Sequence, residues 1–277
     1  MRQIEIPTSG EKIPILGQGT YGIFSSQTEE VHKNWKNVLR KGIELGLTHI
    51  DTAELYGNGY SERLVGEVLK DFKREELFIT TKMLPSNKSE YQMEKAIDNS
   101  IKRLEVNYVD LYLIHWLESD SSIKNIMNFF EKLIDSGKTR YIGVSNFSVS
   151  EFQKAQTYLK KYDLITNQVK INIIHQKELK NLEFYRKEGI FLTAYTPLAK
   201  ANLNGLNQEA KKFLKQLANK YGYSQLQIAL AWVINHDNII AIPRTSSISH
   251  LKENAMAADV LLTEEEIESL RTYSSSS

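Results

Sequence analysis

Four side chains able to handle protons stand at or just beyond the ends of short apolar runs. Asp51 closes LTHID, Tyr56 follows in the Gly-rich stretch ELYGNG, Lys82 closes LFITTK, and His115 closes VDLYLIH. A phenol with an ordinary pKa of about 10 keeps its proton at neutral pH and suits a general acid. A lysine ammonium beside it favours the phenolate and is expected to lower that pKa, easing proton transfer to a developing alkoxide. An aspartate beside the lysine holds it charged and oriented. A neutral histidine donates a hydrogen bond to a carbonyl oxygen and fixes its direction. The set fits reduction of a carbonyl by hydride, with Tyr56 as the proton donor. Taken singly, each residue fits equally well a strand end that meets solvent. Hydrolysis fits less well, because no serine has a His/Asp relay at recognisable spacing and no GxSxG elbow occurs.

Those groups act together only if the chain gathers them. Short apolar runs lie at 14–19, 47–51, 77–82, 109–115, 140–146, 166–171, 191–196 and 239–244, most with strand-forming residues and a polar or turn residue at the C-terminal end. Amphipathic stretches separate them. Residues 29–45 carry Val31, Trp35, Val38, Leu39 and Ile43 at helical spacing, and residues 62–72 carry Leu64, Val65, Val68, Leu69 and Phe72. Ser89 with Gln92, Ser148 with Glu151, Ser224 with Gln227 and Thr263 with Glu266 have the spacing of capping boxes. The 207–236 segment reads as two helices broken at Gly222. Eight strands alternating with helices imply parallel pairing, since a helical crossover returns the chain in the same direction. At this length the α/β class predicted is a (β/α)8 TIM barrel, one domain over residues 1–277, with an N-terminal β-hairpin (IEIP-TSGEK-IP) closing the barrel floor. Residues 274–277 are expected to be a disordered tail. In a barrel, function sits at the C-terminal ends of the strands. Asp51, Lys82, His115, Ser145, Asn146, Gln168, Tyr195, Thr196 and Arg244 all fall there.

Composition narrows the classes. Of 277 residues 41% are hydrophobic, enough for a sizeable core. The net charge of +1 speaks against a nucleic-acid binder or a polybasic membrane-surface protein. With no cysteine, disulfides, thiolate catalysis and zinc–cysteine sites are excluded. No signal-peptide pattern or membrane-length apolar run occurs, so a cytoplasmic protein, monomeric or weakly oligomeric, is expected. His32, His49, His175 and His236 show no metal-ligand spacing and read as surface or partly packed residues. Trp35 and Trp232 read as packing residues, and Glu264 to Glu266 as a helix start. No metal is expected.

One motif misleads. GQGTYG at 17–22 matches GxGxxG, the dinucleotide fingerprint. A lone match is weak, Asp51 lies well beyond the roughly 20 residues at which the ribose acid is expected, and eight strands do not suit that fold. Its glycines are expected to let the first strand's end approach a ligand closely, or to make a turn.

The stretches DTAELYGNG-SE-LVGE, TTK, VDLYLIHW, YIGVSNF, NQV, AYTPL and IPRTSSISHLKEN occur in order from Asp51 to Asn254. In this the chain resembles the aldo-keto reductases. The resemblance implies a (β/α)8 barrel that binds a nicotinamide cofactor without a Rossmann domain. It implies a tetrad of Asp51, Tyr56, Lys82 and His115. Ser145, Asn146 and Gln168 would hold the nicotinamide carboxamide, and Tyr195 would stack on its ring. Gly19, Thr20 and Tyr21 would lie along the cofactor's edge. Thr196, Pro197 and Leu198 would line the pyrophosphate, and Arg244, Thr245, Ser246, His250, Glu253 and Asn254 the adenosine end. Tyr21, Leu55, Tyr56, His115 and Trp116 would line the substrate pocket, although Trp116 equally suits packing at the barrel mouth.

The last segment reads as a loop opening a helix, where phosphate is attracted, and Arg244 is placed for a 2′-phosphate. NADPH is therefore expected over NADH, with NADH not excluded. The family pattern often has a second arginine where this chain has His250, and a proline where it has Leu117. The short loop from Trp116 to Ser121 suggests an open pocket for small or varied aldehydes. Two other readings stand beside this one: a cofactor-binding regulatory subunit, and a sugar-phosphate aldolase or isomerase using Lys82 as a Schiff-base nucleophile.

Overall fold

Two strands, β1 (Gln3–Glu5) and β2 (Lys12–Pro14), pair antiparallel as a hairpin. Eight more follow: β3 (Gln18–Gly19), β4 (His49–Asp51), β5 (Phe78–Met83), β6 (Val109–Ile114), β7 (Thr139–Ser145), β8 (Leu164–Lys170), β9 (Phe191–Tyr195) and β10 (Ile239–Ala241). The computed structural model describes residues 1–119 and 121–275, and among these the eight form one parallel sheet in chain order. The first and last strands of that order also meet. The Gly17 amide donates to Ala241 O at 2.8 Å, the Ala241 amide donates to Ile15 O at 2.9 Å, and Leu16 bridges Ala241 in parallel. The sheet thus closes on itself, as a (β/α)8 barrel requires. The glycines of GQGTYG serve this closure. A Cβ on Gly17 would lie 2.9 Å from His49 O, and one on Gly19 2.9 Å from Ile242 O. The close approach they permit is to neighbouring strands.

The crossovers are α1 (Glu29–Glu44), α2 (Tyr60–Leu69), α3 (Glu90–Leu104), α4 (Ile123–Asp135), α5 (Val149–Tyr158), α6 (Leu182–Lys187), α7 (Gln208–Tyr221) and α8 (Gln225–Ile234), followed by α9 (Ile248–Met256) and α10 (Glu264–Ser275). The capping boxes at Ser89, Ser148 and Ser224 form as the spacing predicts, and Thr263 and Glu266 exchange the same pair of bonds. Gly222, left-handed at φ 74°, separates α7 from α8. The helix predicted at 62–72 starts and stops slightly earlier, because Gly59 at φ 82° begins it. Helix α10 runs to Ser275, two residues into the expected tail, while residues 276 and 277 lie outside the described residues.

The hairpin packs on the N-terminal ends of the strands. Arg140 at the start of β7 bridges Glu11 of the hairpin loop and the buried Asp110 of β6, and Tyr141 Oη donates to Glu11 Oε2 and lies within hydrogen-bond distance of Ser9 Oγ. This floor leaves the opposite rim open. One expectation fails at this level. His49 is neither a surface nor a partly packed residue but is fully buried beneath the rim, its Nε2 2.9 Å from Thr80 Oγ1. Burial pushes its pKa down to about 4, so it is neutral. In sequence it leads directly into Asp51, and strand alternation points it into the barrel as it points Asp51.

Candidate active site

Three neighbouring strands bring the tetrad to one rim. Asp51 ends β4, Lys82 lies next to the end of β5, and His115 follows β6, its amide bonded to Met83 O. Lys82 Nζ donates to Asp51 Oδ1 at 2.6 Å and to Thr52 O at 2.8 Å, and stands 3.4 Å from Tyr56 Oη. Both Lys82 and Asp51 are buried. The Tyr56 ring meets the His115 ring edge-on at a centroid distance of 5.7 Å. Tyr56 is delivered by a tight turn in which Gly57, Asn58 and Gly59 are all left-handed, with φ of 57°, 58° and 82°. Glycine and asparagine are the residues that accept this backbone. At Gly57 a Cβ would also strike Ile23 O at 2.4 Å.

The electrostatics suit a proton donor. Burial raises the Tyr56 pKa; Lys82 pulls it back, and the net shift is upward. The expected lowering by Lys82 is present but outweighed in the free protein, which keeps the phenol protonated. Burial lowers the Lys82 pKa, yet Asp51 and Tyr56 outweigh it, so the amine is held as an ammonium. Burial, then Lys82, depresses His115 to about 3, leaving a neutral imidazole whose buried Nδ1 has no partner among the described residues.

Beneath the tetrad lies a set of supports that sequence reasoning missed. Glu62 of α2, fully buried, accepts from Thr81 Oγ1 and from Arg103 Nε, each at 2.6 Å, and Gly59 rests directly on Arg103. Glu54 Oε1 accepts from the Leu84 amide and from Asn87 Nδ2, tying the Tyr56 loop to the loop after β5. Thr20, expected along the cofactor's edge, also belongs to this set. Its side chain is fully buried, with Oγ1 donating to Asp51 O at 2.9 Å and accepting from Ser61 Oγ at 2.8 Å.

The other expected cofactor residues line the same rim. Gln168 Nε2 donates to Asp51 Oδ2 at 2.7 Å, while its backbone carbonyl oxygen accepts from Ser145 Oγ and the Asn146 amide, both at 2.9 Å. Asn146 Nδ2 donates to His115 O and its Oδ1 accepts from Tyr195 Oη at 2.8 Å. Thr196, left-handed at φ 53°, turns the chain towards buried Pro197 and half-buried Leu198. Arg244, after β10, is exposed; its guanidinium lies 5.2 Å above the Trp35 ring and against Gly22, and no carboxylate pairs with it among the described residues. Gly19 lies against its Cβ. Thr245 Oγ1 accepts from the Ser247 amide, Ser247 caps α9, and Asn34 of α1 holds Ser246 O. His250 and Glu253 are exposed on α9, and Asn254 is buried.

At the mouth, Tyr21 and Leu55 are exposed (60% and 42%), unusual for large apolar side chains. Tyr21 stands edge-on to Tyr56 at 5.3 Å, and Trp116 packs on His115 at 4.7 Å. The structure adds Phe24, 40% exposed and 6.4 Å from Tyr21. Its loop is fastened by His32, which bridges Phe24 O and Tyr60 Oη. A separate surface hollow of about 480 Å³ beside the mouth is lined by Leu117, Glu118, Ile123 and Lys154 and includes none of the tetrad. Among the described residues no group of three His, Asp or Glu side chains is placed to hold a metal, and no helix is long and apolar enough to cross a membrane.

Comparison with known proteins agrees with this geometry. The model of the aldo/keto reductase family matches residues 15–274. The chain is 36% identical to a methylglyoxal reductase of Escherichia coli (strain K12), over 96% of this chain and 93% of that protein. It is 34% identical to a glyoxal reductase of Bacillus subtilis (strain 168), over 95% and 89% respectively. A crystal structure of an aldo/keto reductase from Klebsiella pneumoniae, in complex with NADP and acetate, superposes with a TM-score of 0.88 at 32% identity, covering 99% of this chain and 96% of that one. With an Asp–Lys–Tyr–His cluster on the rim of a closed eight-stranded barrel, and relatives matching across nearly its whole length, the chain belongs to the aldo/keto reductase family.

Proposed function

We propose that this protein reduces the carbonyl of small aldehydes, 2-oxoaldehydes such as methylglyoxal and glyoxal first among them, to alcohols at the expense of NADPH. The observation that carries this reading is the fully buried Lys82 ammonium, 2.6 Å from Asp51 and 3.4 Å from a protonated Tyr56 that also faces a neutral His115. When bound, the reduced nicotinamide supplies hydride. The residues present suit that group: Ser145, Asn146 and Gln168 offer amide and hydroxyl groups on one side of the tetrad, Tyr195 lies beside them, and Arg244, at the opening of α9, is a cation with no carboxylate partner among the described residues.

The protein's own part is proton handling. A carbonyl oxygen between Tyr56 Oη and His115 accepts a hydrogen bond from each. As negative charge grows on that oxygen, Tyr56 gives up its proton, and Lys82 stabilises the phenolate left behind. Asp51 keeps Lys82 charged and aimed. The same ammonium argues against a Schiff-base aldolase, whose nucleophilic amine needs a lowered pKa. Apolar Tyr21, Phe24, Leu55 and Trp116 at the mouth suit a small, partly apolar substrate held without salt bridges.

The test is turnover of methylglyoxal, glyoxal and a wider panel of aldehydes, ketones and sugars with NADPH and with NADH. Tyr56→Phe should lower the rate by about 10²–10⁴ while leaving NADPH affinity nearly unchanged. A Tyr56→Phe variant with the original kcat would exclude Tyr56 as donor, and a higher kcat/KM with NADH would reverse the cofactor assignment.

A further inference from the structure

An ammonium has three N–H groups, and those of Lys82 have three acceptors: Asp51 Oδ1 at 2.6 Å, Thr52 O at 2.8 Å and Tyr56 Oη at 3.4 Å. The first two fix Nζ at ordinary hydrogen-bond lengths. The third is longer, so its length depends on where the backbone holds Tyr56 and Lys82. Two attachments decide that, and both lead to one carboxylate. Successive strand residues point to opposite faces. Lys82 points into the barrel, and Thr81 beside it points out, where its Oγ1 donates to Glu62 Oε1 at 2.6 Å. The other oxygen, Glu62 Oε2, accepts from Arg103 Nε at 2.6 Å. The Arg103 stem lies under the Tyr56 turn, since a Cβ on Gly59 would stand 2.6 Å from Arg103 Cδ and Nε. The pair has little room to slide, because α2 and α3 touch at Gly66, where a Cβ would meet Arg103 O and Leu104 O at 2.7 Å.

The floor of the barrel supplies a comparison. Arg74 Nη2 and Asp110 Oδ2 form a pair of the same length, 2.6 Å, and nearly the same burial: 19% and 0% exposed, against 18% and 0% for Arg103 and Glu62. Either pair holds elements together. Of the two, the rim pair alone reaches both halves of the Tyr56–Lys82 contact. We infer that Glu62 and Arg103 are positioning residues for proton transfer: through Thr81 on one side and Gly59 on the other they set the distance from Tyr56 Oη to Lys82 Nζ, and so the rate of the proton step, without touching substrate or cofactor. This rests on the reductase reading above. As the proton leaves Tyr56, the contact with Lys82 becomes a bond between ammonium and phenolate, and it strengthens as it shortens. A turn free to drift loses that gain in the transition state, while substrate and cofactor bind as before.

The variants that test this are Arg103→Met and Thr81→Val at the rim and Arg74→Met at the floor, each assayed with NADPH and methylglyoxal where urea titration shows it folded. Arg103→Met should lower kcat by about 10–100-fold, less than the loss of Tyr56 itself, with KM and the NADPH Kd within about twofold of the original. Arg74→Met should keep kcat within about twofold, because the floor pair touches neither Tyr56 nor Lys82. An equal fall in both, an unaltered kcat in Arg103→Met, or an effect confined to KM overturns the inference. Should Arg103→Met not fold, Thr81→Val decides, since it keeps the ion pair and removes one hydroxyl. A fall in kcat of about threefold or more at unchanged KM supports the inference, and an unchanged kcat overturns it. A second readout needs no turnover. In cofactor-free protein carrying 13C at the tyrosine Cζ, the Tyr56 signal, assigned by its loss in Tyr56→Phe, should move or broaden in the folded rim variants and stay in place in Arg74→Met. A signal indifferent to the rim variants overturns the inference. Failure of the unaltered protein to reduce any carbonyl would count against the reductase reading, while the NMR result still decides whether the pair positions Tyr56.

Discussion

At the scale of single residues, protonation states set the chemistry. Tyr56 is kept as a phenol by burial, and the ammonium of Lys82 stands ready to receive the negative charge when the proton leaves. His115 is depressed to about 3 and stays neutral across the whole working range, which suits the hydrogen-bonding part it has in the proposed reduction and not that of the acid. It follows that kcat/KM for carbonyl reduction should show no limb near the ordinary histidine pKa between about pH 5 and 8. A limb in that window that disappears in His115→Asn would show that the imidazole titrates. These four residues were legible in the sequence because each type has few uses at a strand end. The upward net shift of Tyr56 was not, since it depends on how much water the folded rim excludes.

At the scale of elements, the turn carrying Tyr56 is held from beneath. Three left-handed residues in succession are costly to order, and the turn lies on Arg103, whose guanidinium pairs with buried Glu62. Glu62 also receives Thr81, the neighbour of Lys82, so one ion pair braces the proposed proton donor and its cation together. Removing one partner leaves the other charge buried and unpaired. Arg103→Met should therefore lower unfolding stability by about 3–5 kcal/mol in urea titrations. A loss under about 1 kcal/mol would place the pair among ordinary surface bridges. The capping boxes were readable because cap and third residue are neighbours in sequence. The brace was not, because Glu62 and Arg103 lie 41 residues apart and meet only when α2 packs on α3.

At the scale of the whole molecule, the barrel closes only because Gly17 and Gly19 let strands draw together around a neutral, buried His49. Unfolded, a histidine takes up a proton near 6.5; in the folded barrel His49 does so only near 4. Between those values the unfolded chain binds more protons, so acid favours unfolding. The stabilisation from keeping His49 neutral is complete above pH 6.5 and lost as the pH falls towards 4, a change of about 3 kcal/mol. The urea midpoint should fall between about pH 7 and about pH 4.5, and His49→Gln should flatten that fall. An equal fall in the variant would assign the acid sensitivity to the carboxylates.

The sequence by itself determined the alternation of strands and helices, the helix starts and the tetrad, because these rest on periodicity, on neighbours three or four positions apart, and on side-chain types with little alternative use. Tertiary structure alone decided the rest. It set Thr20 as a support under Asp51, placed His49 in the interior instead of at the surface or partly packed, added Phe24 to the mouth, and joined Gln168 to Asp51 across 117 positions of chain. Each of these depends on which faces meet when the sheet closes. That is a property of the closed barrel and is not written in any local stretch of the chain.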